Sequence, residues 1–356
     1  MHFRRLGKSN LKVSTLCLGT MMFGRQTSFD DAASIVASAR EHGINFIDSA
    51  DVYNHGQSEA DLGKLLVGQR EDWVLASKLG NPVSEAVNEG HYSRRWLIQQ
   101  TNAILARLQT DYLDILYLHR DYHEANLEEA VRALGDLIRQ GKIRSFGLSN
   151  FRGWRIAEVG RLCEQLGVAP PAVCQPYYNL LNRKPEVEIL PACGHYGLGV
   201  VPYSPLARGV LTGKYPPGQP PAADTRAGSG DKRILETEFR EESLLIAQKI
   251  KERCDAKNQI PGQFAAAWVL ANPLVSSVIV GPRTLSHLEE VYGALDLKID
   301  QDDEDFINAL VVPGHASSPG YNDPVYPFFG RPQRPGTDQH AAHRPGNGFP
   351  HRHPPA

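Results

Sequence analysis

The chain has 356 residues, 41% of them hydrophobic, and its formal net charge is −2. This length suits either two domains or one large α/β barrel, and the hydrophobic content allows a sizeable core. A nearly balanced charge gives no indication of a nucleic-acid or other polyanionic partner. No apolar run approaches the roughly 20 residues that a membrane-spanning helix needs, so no membrane partner is expected.

Two further features predict a cytoplasmic protein. The N-terminal stretch MHFRRLGKSN lacks the apolar segment of a secretory signal. Reduced thiols are expected, because the cysteines follow no CxxC or zinc-binding spacing. The five cysteines are Cys17, Cys163, Cys174, Cys193 and Cys254.

Short apolar runs with strand character alternate with amphipathic stretches along the chain. The strand-like runs cover residues 15–21, 45–50, 73–80, 114–120, 145–150, 172–179, 199–205 and 276–282. Helical stretches between them include residues 30–43, 93–109 and 126–141, the last with Asn126 as N-cap and Gly141 as its stop. Eight strands separated by helices predict a parallel sheet, which can close into a (β/α)8 barrel over about residues 15–295. An open doubly wound sheet is the alternative fold.

Two segments depart from this alternation. A Gly/Pro-rich connection runs from Ala207 to Glu236, and loops of this length inside a domain are usually functional or mobile. Periodicity is lost from about Pro313, and the end of the chain is rich in Pro, Gly and His. We therefore expect one domain over residues 1–330 and a disordered tail over residues 331–356, without a specific metal site.

Polar side chains follow the predicted strands, at the edge where a barrel of this kind carries its active site. The second, third and fourth strands lead to Asp48, Tyr53, Lys78 and His119. Later strands lead to Ser149, Asn150, Gln175, Tyr203, Ser204 and Pro205. Each has an ordinary structural alternative, such as a surface lysine, a helix cap or a core histidine. Four ionisable side chains at equivalent strand ends favour an active site over packing.

Together, these four side chains can deliver a proton to a carbonyl group. The ordinary pKa of tyrosine, ~10, is too high for ready donation at neutral pH, but a neighbouring ammonium favours the phenolate and lowers that pKa. Lys78 can act in this way, with Asp48 holding the lysine charged and His119 hydrogen-bonding the substrate oxygen. A general acid facing a carbonyl needs an electron source, and hydride from a nicotinamide cofactor is the natural one.

The same residues lie in motifs that resemble the aldo-keto reductase superfamily across residues 1–330. In chain order the motifs are NFIDSADVY, ASKLG, DYLDILYLHR, RSFGLSNF, CQPYYNLLNR, VPYSPLARGVLTGKY and VIVGPRTLSHLEE. They are most similar to the branch of potassium-channel β-subunit-like and bacterial general-stress reductases. The resemblance implies a (β/α)8 TIM barrel with long active-site loops. It also implies a catalytic tetrad formed by Asp48, Tyr53, Lys78 and His119.

The resemblance further implies NADPH or NADP+ as the cofactor, held by barrel loops, since no GxGxxG motif follows a strand. The implied cofactor contacts are Thr20, Met21, Asp48, Ser149, Asn150, Gln175, Tyr203, Ser204, Pro205, Leu206, Gly209, Lys214, Arg226, Gly281, Arg283, His287 and Glu290. Tyr203 would stack on the nicotinamide, and Arg283, supported by Arg226, would select NADPH over NADH. His287 and Val291 stand where relatives usually carry Gln and Asn, and Pro282 removes one backbone N–H from the phosphate site.

The implied substrate is a small aldehyde, ketone or alcohol with an organic body. Its expected contacts are Met22, Phe23, Tyr53 and His119. Trp154 and Tyr326 are further candidates, with helix packing as the alternative role of Trp154. Neither a monomer nor a homo-oligomer is favoured.

Three functions compete at this point. The leading one is an NADP(H)-dependent carbonyl reductase or alcohol dehydrogenase. The second is a regulatory subunit that binds the cofactor, senses its redox state and turns over slowly, as members of this branch do. The third is a metal-dependent hydrolase or lyase, for which only His119 and Asp48 are suitable ligands, beside a lysine that would repel the ion.

Overall fold

Ten β-strands occur in residues 1–326, the part of the chain that the computed structural model describes. The predicted tail, residues 331–356, lies outside the described residues. The strands are β1 (Phe3–Arg5), β2 (Lys12–Ser14), β3 (Leu16–Gly19), β4 (Phe46–Asp48), β5 (Val74–Leu79), β6 (Leu113–Leu118), β7 (Ile143–Ser149), β8 (Val173–Gln175), β9 (Gly199–Val200) and β10 (Val278–Val280). The last eight each overlap a strand predicted from the sequence.

The eight strands from β3 to β10 run parallel and close on themselves. Neighbours pair in chain order from β3 to β9, and β10 pairs with β3, with Ile279 opposite Cys17. Across the remaining seam, the Ser276 N–H donates to the Val200 carbonyl at 2.8 Å, and the Ile279 N–H donates to the Pro202 carbonyl at 2.9 Å. The fold is therefore the predicted (β/α)8 barrel, and the open-sheet alternative is wrong.

Eleven α-helices accompany these strands in the described residues. They are α1 (Phe29–Glu41), α2 (Gln57–Leu65), α3 (Arg94–Arg107), α4 (Leu127–Arg139), α5 (Gly153–Leu166), α6 (Ile189–Tyr196), α7 (Lys232–Thr237), α8 (Glu241–Ala256), α9 (Pro261–Ala271), α10 (Leu285–Tyr292) and α11 (Gln301–Leu310). At the start of α4, the Asn126 side chain accepts from the Glu129 N–H, as predicted. Within residues 1–326, no helix has the length and apolar character needed to cross a membrane.

The core has two layers, one between the barrel and its helices and one inside the barrel. In β3, Leu16 and Leu18 pack in the outer layer and Cys17 packs in the inner one. This division follows from strand geometry, because successive side chains of a strand point to opposite faces. The apolar side chains of the strands form the core, so the polar residues at and after the strand ends are available for a functional site.

An antiparallel hairpin of β1 and β2 precedes the barrel. Leu6 and Val13 have no exposed surface and pack in the inner layer of the core. The hairpin is missing from the sequence-based prediction because its strands are only three residues long, rich in basic residues and without clear alternation. It supplies apolar side chains to the barrel interior.

The long connection after β9 and the chain after α11 meet each other. The connection begins with a 3-10 helix at Ala207–Thr212 and contains α7. Residues 313–326, here called the C-terminal strap, lie against several loops. The Ser317 N–H donates to the Leu181 carbonyl at 2.9 Å, and Arg233 of α7 pairs with Asp323 at 2.8 Å. Both segments are thus tied to the barrel by specific contacts.

We expect Gly7→Ala to destabilise the protein more than Gly68→Ala. Both glycines have a positive φ, +58° and +76°, which costs a residue with a Cβ about 1–2 kcal/mol. A Cβ at Gly7 would also clash with the backbone of Gly197 and Gly199, whereas none would meet an atom within 4 Å at Gly68. The clash should add ~1–3 kcal/mol. Urea unfolding of both variants measures the difference, and equal losses would contradict the close packing of the hairpin on the barrel.

Candidate active site

The four ionisable side chains predicted at strand ends meet at one point of the barrel. Asp48 is the last residue of β4, Lys78 lies near the end of β5, and His119 directly follows β6. The Lys78 Nζ donates to Asp48 Oδ1 at 2.5 Å and to the Tyr53 hydroxyl at 3.2 Å. The Tyr53 and His119 rings meet edge to face, with centroids 6.2 Å apart.

Lys78 is almost fully buried and has three hydrogen-bond acceptors. Its side chain is 1% exposed, and the third acceptor is the Ser49 carbonyl at 2.7 Å. On the other side of Asp48, the Gln175 Nε2 donates to Oδ2 at 2.9 Å. Burial opposes the charge on Lys78, but Asp48 and Tyr53 together raise its pKa above the ordinary value. The lysine therefore remains an ammonium at neutral pH.

Tyr53 is presented by an unusual turn. Asn54, His55 and Gly56 all have positive φ values, of 49°, 55° and 84°. The Asn54 Nδ2 donates to the Phe23 carbonyl at 2.5 Å and to the Met21 carbonyl at 3.2 Å, which fixes this turn against the loop after β3. An asparagine tolerates the left-handed conformation better than most residues.

The pKa of Tyr53 lies above its ordinary value. Burial raises it, and the Lys78 ammonium acts in the opposite direction, as expected from the sequence, without overcoming burial. The phenol therefore keeps its proton at neutral pH. A transferable proton and a cation that favours its loss lie side by side.

His119 is a neutral imidazole beside the phenol. Burial lowers its pKa well below the ordinary value, and the Lys78 charge lowers it further. Its Nδ1 is buried and has no hydrogen-bond partner among residues 1–326. The Asn150 Nδ2 donates to its carbonyl at 3.0 Å, so the backbone at this position is fixed.

Residues at the ends of β7 and β8 and after β9 form a further hydrogen-bonded group beside the tetrad. The Asn150 Nδ2 also donates to Ser149 Oγ at 3.0 Å, and the Tyr203 hydroxyl donates to Asn150 Oδ1 at 2.8 Å. The Ser149 hydroxyl donates to the Gln175 carbonyl at 3.1 Å. The ring of Tyr203 stacks on Tyr177, with centroids 5.5 Å apart and an interplanar angle of 23°.

The connection after β9 carries a glycine cradle and two cations. Gly209 has a φ of +96°, and a Cβ there would lie 3.1 Å from the Lys214 Nζ. Lys214 therefore reaches back over Gly209. Ser204, Pro205 and Leu206 directly precede the 3-10 helix that contains Gly209. Further along, Arg226 Nε pairs with Asp231 Oδ2 at 3.1 Å. This pair was not foreseen from the sequence.

The end of β10 and the start of α10 supply the remaining predicted cofactor residues. Gly281, Arg283, His287 and Glu290 are all exposed. The Arg283 carbonyl accepts from the Thr27 hydroxyl at 2.9 Å, which anchors the backbone and leaves the guanidinium outside. Burial and the charge of Arg283 lower the pKa of Lys214, so these two cations are close enough to interact although they follow different strands.

The residues after β3 divide into exposed and buried ones. Met21 is 39% exposed and Met22 is partly exposed. Thr20 is buried, and its hydroxyl donates to the Asp48 carbonyl at 3.1 Å. Phe23 departs from its expected place in the substrate pocket, because it has no exposed surface and packs in the outer core layer. An apolar residue next to a predicted site cannot be told from a core residue by its type alone.

Trp154 and Tyr326, the two further candidates for the pocket, have different surroundings. Trp154 is 50% exposed and meets His123 edge to face at 5.6 Å, so helix packing does not account for its whole surface. The ring centroid of Tyr326 lies 5.4 Å from the Arg120 guanidinium carbon. Arg120 directly follows His119 in the chain, so Tyr326 contacts the sequence neighbour of a tetrad residue.

A second buried group of polar residues lies beside the tetrad and is missing from the sequence-based prediction. Asp51 Oδ2 accepts from Gln100 Nε2 at 2.8 Å, and its Oδ1 is buried with no hydrogen-bond partner in residues 1–326. Glu59 accepts from the Ser77 hydroxyl and, at 2.7 Å, from Arg107 Nε. Burial and the neighbouring Glu59 raise the pKa of Asp51 to about 7. The sequence shows only that Asp51 and Glu59 lie near Tyr53 in the chain.

A family model for aldo/keto reductases matches residues 15–311, which is most of the chain and includes the whole site. The chain belongs to the aldo/keto reductase family. It is therefore an oxidoreductase, and enzymes of this family generally use NAD(P)H.

Curated relatives of this aldo/keto reductase match over nearly their whole length. A "Probable voltage-gated potassium channel subunit beta" of Arabidopsis thaliana is 37% identical over 304 residues, 83% of this chain and 92% of the relative. The "Uncharacterized oxidoreductase YrpG" of Bacillus subtilis (strain 168) is 34% identical over 314 residues, 85% of this chain and 93% of the relative. The "Probable voltage-gated potassium channel subunit beta" of Oryza sativa subsp. japonica is 35% identical over 304 residues, 83% of this chain and 92% of the relative.

We expect Asp51→Asn to gain stability relative to the wild type as the pH rises. The pKa of Asp51 is about 7 in the folded state, against ~3.9 in an unfolded chain. Between these values the folded state binds more protons than the unfolded state, so the free energy of unfolding of the wild type falls as pH rises through this window. The asparagine variant lacks this loss, which amounts to a few kcal/mol.

Urea unfolding of both proteins at pH 4.5 and pH 7.5 measures the change. Asp111→Asn, on an exposed loop, controls for the loss of one carboxylate. A difference between Asp51→Asn and the wild type that stays constant with pH would contradict the raised pKa.

Proposed function

We propose that the protein is an NADP(H)-dependent carbonyl reductase or alcohol dehydrogenase in which Tyr53 is the general acid. The observation that carries this proposal is the buried ammonium of Lys78, which donates both to Asp48 and to the Tyr53 hydroxyl. We assign the activity to residues 1–330 as one catalytic domain and place the protein in the cytoplasm. Its substrate is a small aldehyde or ketone, or the corresponding alcohol in the reverse direction.

The tetrad moves one proton. A reduced nicotinamide bound here would supply hydride to a carbonyl carbon, whose oxygen would then need a proton. Tyr53 donates its phenolic proton to that oxygen, and Lys78, 3.2 Å away, stabilises the phenolate that forms. Asp48 keeps the lysine charged and oriented. His119, held neutral by burial, donates a hydrogen bond to the same oxygen.

The residues around the tetrad suit a nicotinamide cofactor. We assign the carboxamide to Ser149, Asn150 and Gln175, because Asn150 Nδ2 donates to Ser149 Oγ and the Ser149 hydroxyl donates to the backbone carbonyl of Gln175. Tyr177 covers one face of the Tyr203 ring, so we assign the other face to the nicotinamide. Thr20 and Met21, at the exit of β3, border the same end.

The outer part of the site suits a diphosphate and an adenosine phosphate. Ser204, Pro205, Leu206, Gly209 and Lys214 would hold the diphosphate, since glycine at position 209 permits close approach beneath the lysine. Arg226, Gly281, Arg283, His287 and Glu290 would hold the adenosine end. Met22, Tyr53 and His119 remain as the proposed substrate contacts, while Phe23 is left to the core.

A second candidate is a cofactor-binding regulatory subunit with slow turnover. The observation that favours it is the similarity to plant proteins named as probable potassium channel β subunits. The two candidates differ in rate rather than in nucleotide binding. Multiple-turnover oxidation of NADPH with a panel of aldehydes supports the enzyme, whereas a single slow turnover for each bound nucleotide supports the subunit.

The metal-dependent alternative lacks a suitable set of ligands at the strand ends of the described chain. Asp48 is paired with Lys78, and among residues 1–326 the group of three acidic or imidazole ligands lies elsewhere, at Asp300, Asp302 and Asp303. Asp303 is itself paired with Arg253 and Lys257. We do not propose a metal-dependent reaction.

We expect Tyr53→Phe to leave nucleotide binding nearly unchanged and to lower the rate of carbonyl reduction about 10²–10⁴-fold, because it removes only the proton donor. Stopped-flow measurement of hydride transfer at saturating NADPH tests this. Tyr112→Phe, a partly exposed tyrosine beside Arg70, serves as the matched control. Wild-type turnover by Tyr53→Phe would refute the general-acid assignment.

We expect Arg283→Ala to weaken NADPH binding about ten- to a hundredfold and to leave NADH binding nearly unchanged. A charge-assisted hydrogen bond contributes roughly 1.5–3 kcal/mol, and 1.4 kcal/mol is about tenfold in affinity. Only NADPH carries the additional phosphate on the adenosine ribose. Fluorescence titration with both nucleotides measures the two affinities.

Arg132→Ala, an exposed arginine on α4, controls for the loss of a surface cation. Equal losses for the two nucleotides would mean that Arg283 does not contact the phosphate. A wild type that binds NADH more tightly than NADPH would overturn the choice of cofactor.

A further inference from the structure

Five cations from separate parts of the chain hold the C-terminal strap, residues 313–326. Arg120 Nη2 donates to the Val325 carbonyl at 2.7 Å, and Arg152 Nη2 donates to the Tyr326 carbonyl at 3.1 Å.

Arg233 makes two hydrogen bonds with Asp323, at 2.8 and 3.2 Å. The guanidinium carbon of Arg240 lies 3.7 Å from the ring centroid of Tyr321, and Lys184 donates to the Tyr321 carbonyl. The strap thus bridges the loops of the catalytic face.

The end of the strap lies next to the proposed reaction site. Arg120, which follows His119 in the chain, lies 5.4 Å from the ring centroid of Tyr326. Burial raises the pKa of Tyr326, and Tyr53 is close enough to contribute to the increase. Tyr326 is therefore placed to form a wall of the space above the catalytic phenol.

A continuous set of contacts joins this wall to the proposed phosphate site. Arg226 pairs with Asp231, and Asp231 also caps α7 by accepting from the Ile234 N–H at 3.1 Å. Arg233, on the first turn of α7, then pairs with Asp323 of the strap. Asp323 in turn accepts from the Val325 N–H at 2.9 Å, which fixes the turn that presents Tyr326.

We propose that the Arg233–Asp323 ion pair couples nucleotide binding to the carbonyl-binding side of the site. This inference rests on the proposed function, because it takes Arg226 as a contact of the nucleotide. Arg233 and Asp323 are positioning residues, and they act through Tyr326.

The coupling depends on Asp231, which has two roles. Its carboxylate balances the charge of Arg226 and caps α7 at the same time. A bound phosphate fixes the Arg226 guanidinium, and a fixed guanidinium orders the carboxylate that begins α7. Ile234, buried in the outer core layer, makes α7 a rigid link rather than a flexible one. An ordered α7 holds Arg233 in place for Asp323, so the strap closes more tightly when the nucleotide is bound.

Hydrogen–deuterium exchange of the strap, with and without saturating NADP+, tests the coupling without relying on turnover. In the wild type, we expect NADP+ to increase the protection of residues 317–326. In Arg233→Gln, saturating NADP+ should still bind but should no longer protect the strap. The KM for the carbonyl substrate should rise on the order of fivefold with little change in kcat, at the low end of coupling effects between sites.

Two comparisons separate coupling from general loosening of the strap. Glu236→Gln removes the other partner of Arg233, which lies on α7 itself, so the response to NADP+ should be retained. The exchange of charges in Arg233→Asp/Asp323→Arg should restore part of the response that either single change abolishes. Arg233→Gln/Asp323→Asn should be no worse than either of its single variants, since both remove the same pair.

The outcomes distinguish this inference from the proposed function. If NADPH and NADP+ do not change the fluorescence of the wild type on titration, the protein does not bind these nucleotides and the proposed function is wrong. If NADP+ binds but the protection of the strap does not change, or changes equally in Arg233→Gln, only the coupling is overturned.

Discussion

The ion pair between Lys78 and Asp48 is the interaction on which the rest of the site depends. Both side chains are nearly excluded from water, and removing one partner of a buried pair typically costs about 3–5 kcal/mol. An ammonium has three donors, and Lys78 directs them to Asp48, the Ser49 carbonyl and the Tyr53 hydroxyl. The phenol is thus one of the groups that make the buried charge tolerable. The hydrogen bond from Lys78 to Tyr53 therefore positions the proposed proton donor and also helps to stabilise the buried ion pair.

The buried polar group that contains Asp51 and Glu59 is best understood through its charges. Lys78 balances Asp48 and Arg107 balances Glu59, but no cation is paired with Asp51 in the described chain. Its partner, Gln100, is neutral. An ionised Asp51 would be an uncompensated charge in a low-dielectric region, which is why its pKa rises to about 7. Below this pH, Asp51 is mostly protonated and carries no uncompensated charge.

The sequence predicted the barrel, and it predicted that four ionisable side chains follow the strands, because both depend on local patterns. Each apolar run marked a strand, and Asp48, Lys78 and His119 each lie at or directly after a strand end. The hairpin was missed because β1 and β2 acquire their apolar environment only from the barrel. The contacts of Asp51 with Gln100 and of Arg233 with Asp323 span 49 and 90 residues. Long-range pairs of this kind follow from the closed structure and leave no periodic signal in the chain.

The side chains at the inner end of the proposed cofactor site are buried, and those at its outer end are exposed. The two ends therefore suit different roles. At the tetrad, every charge has a buried partner, so small shifts in proton position have large electrostatic effects. At the outer end, Lys214 and Arg283 are exposed, and an exposed cation can remain unpaired at little cost because water solvates it. Such cations remain available for a phosphate. Arg226 lies between these extremes: it is partly buried and needs Asp231 as its counter-ion. A ligand that binds Arg226 must therefore also affect Asp231 and the helix that it caps, which makes this residue the point where binding can change structure.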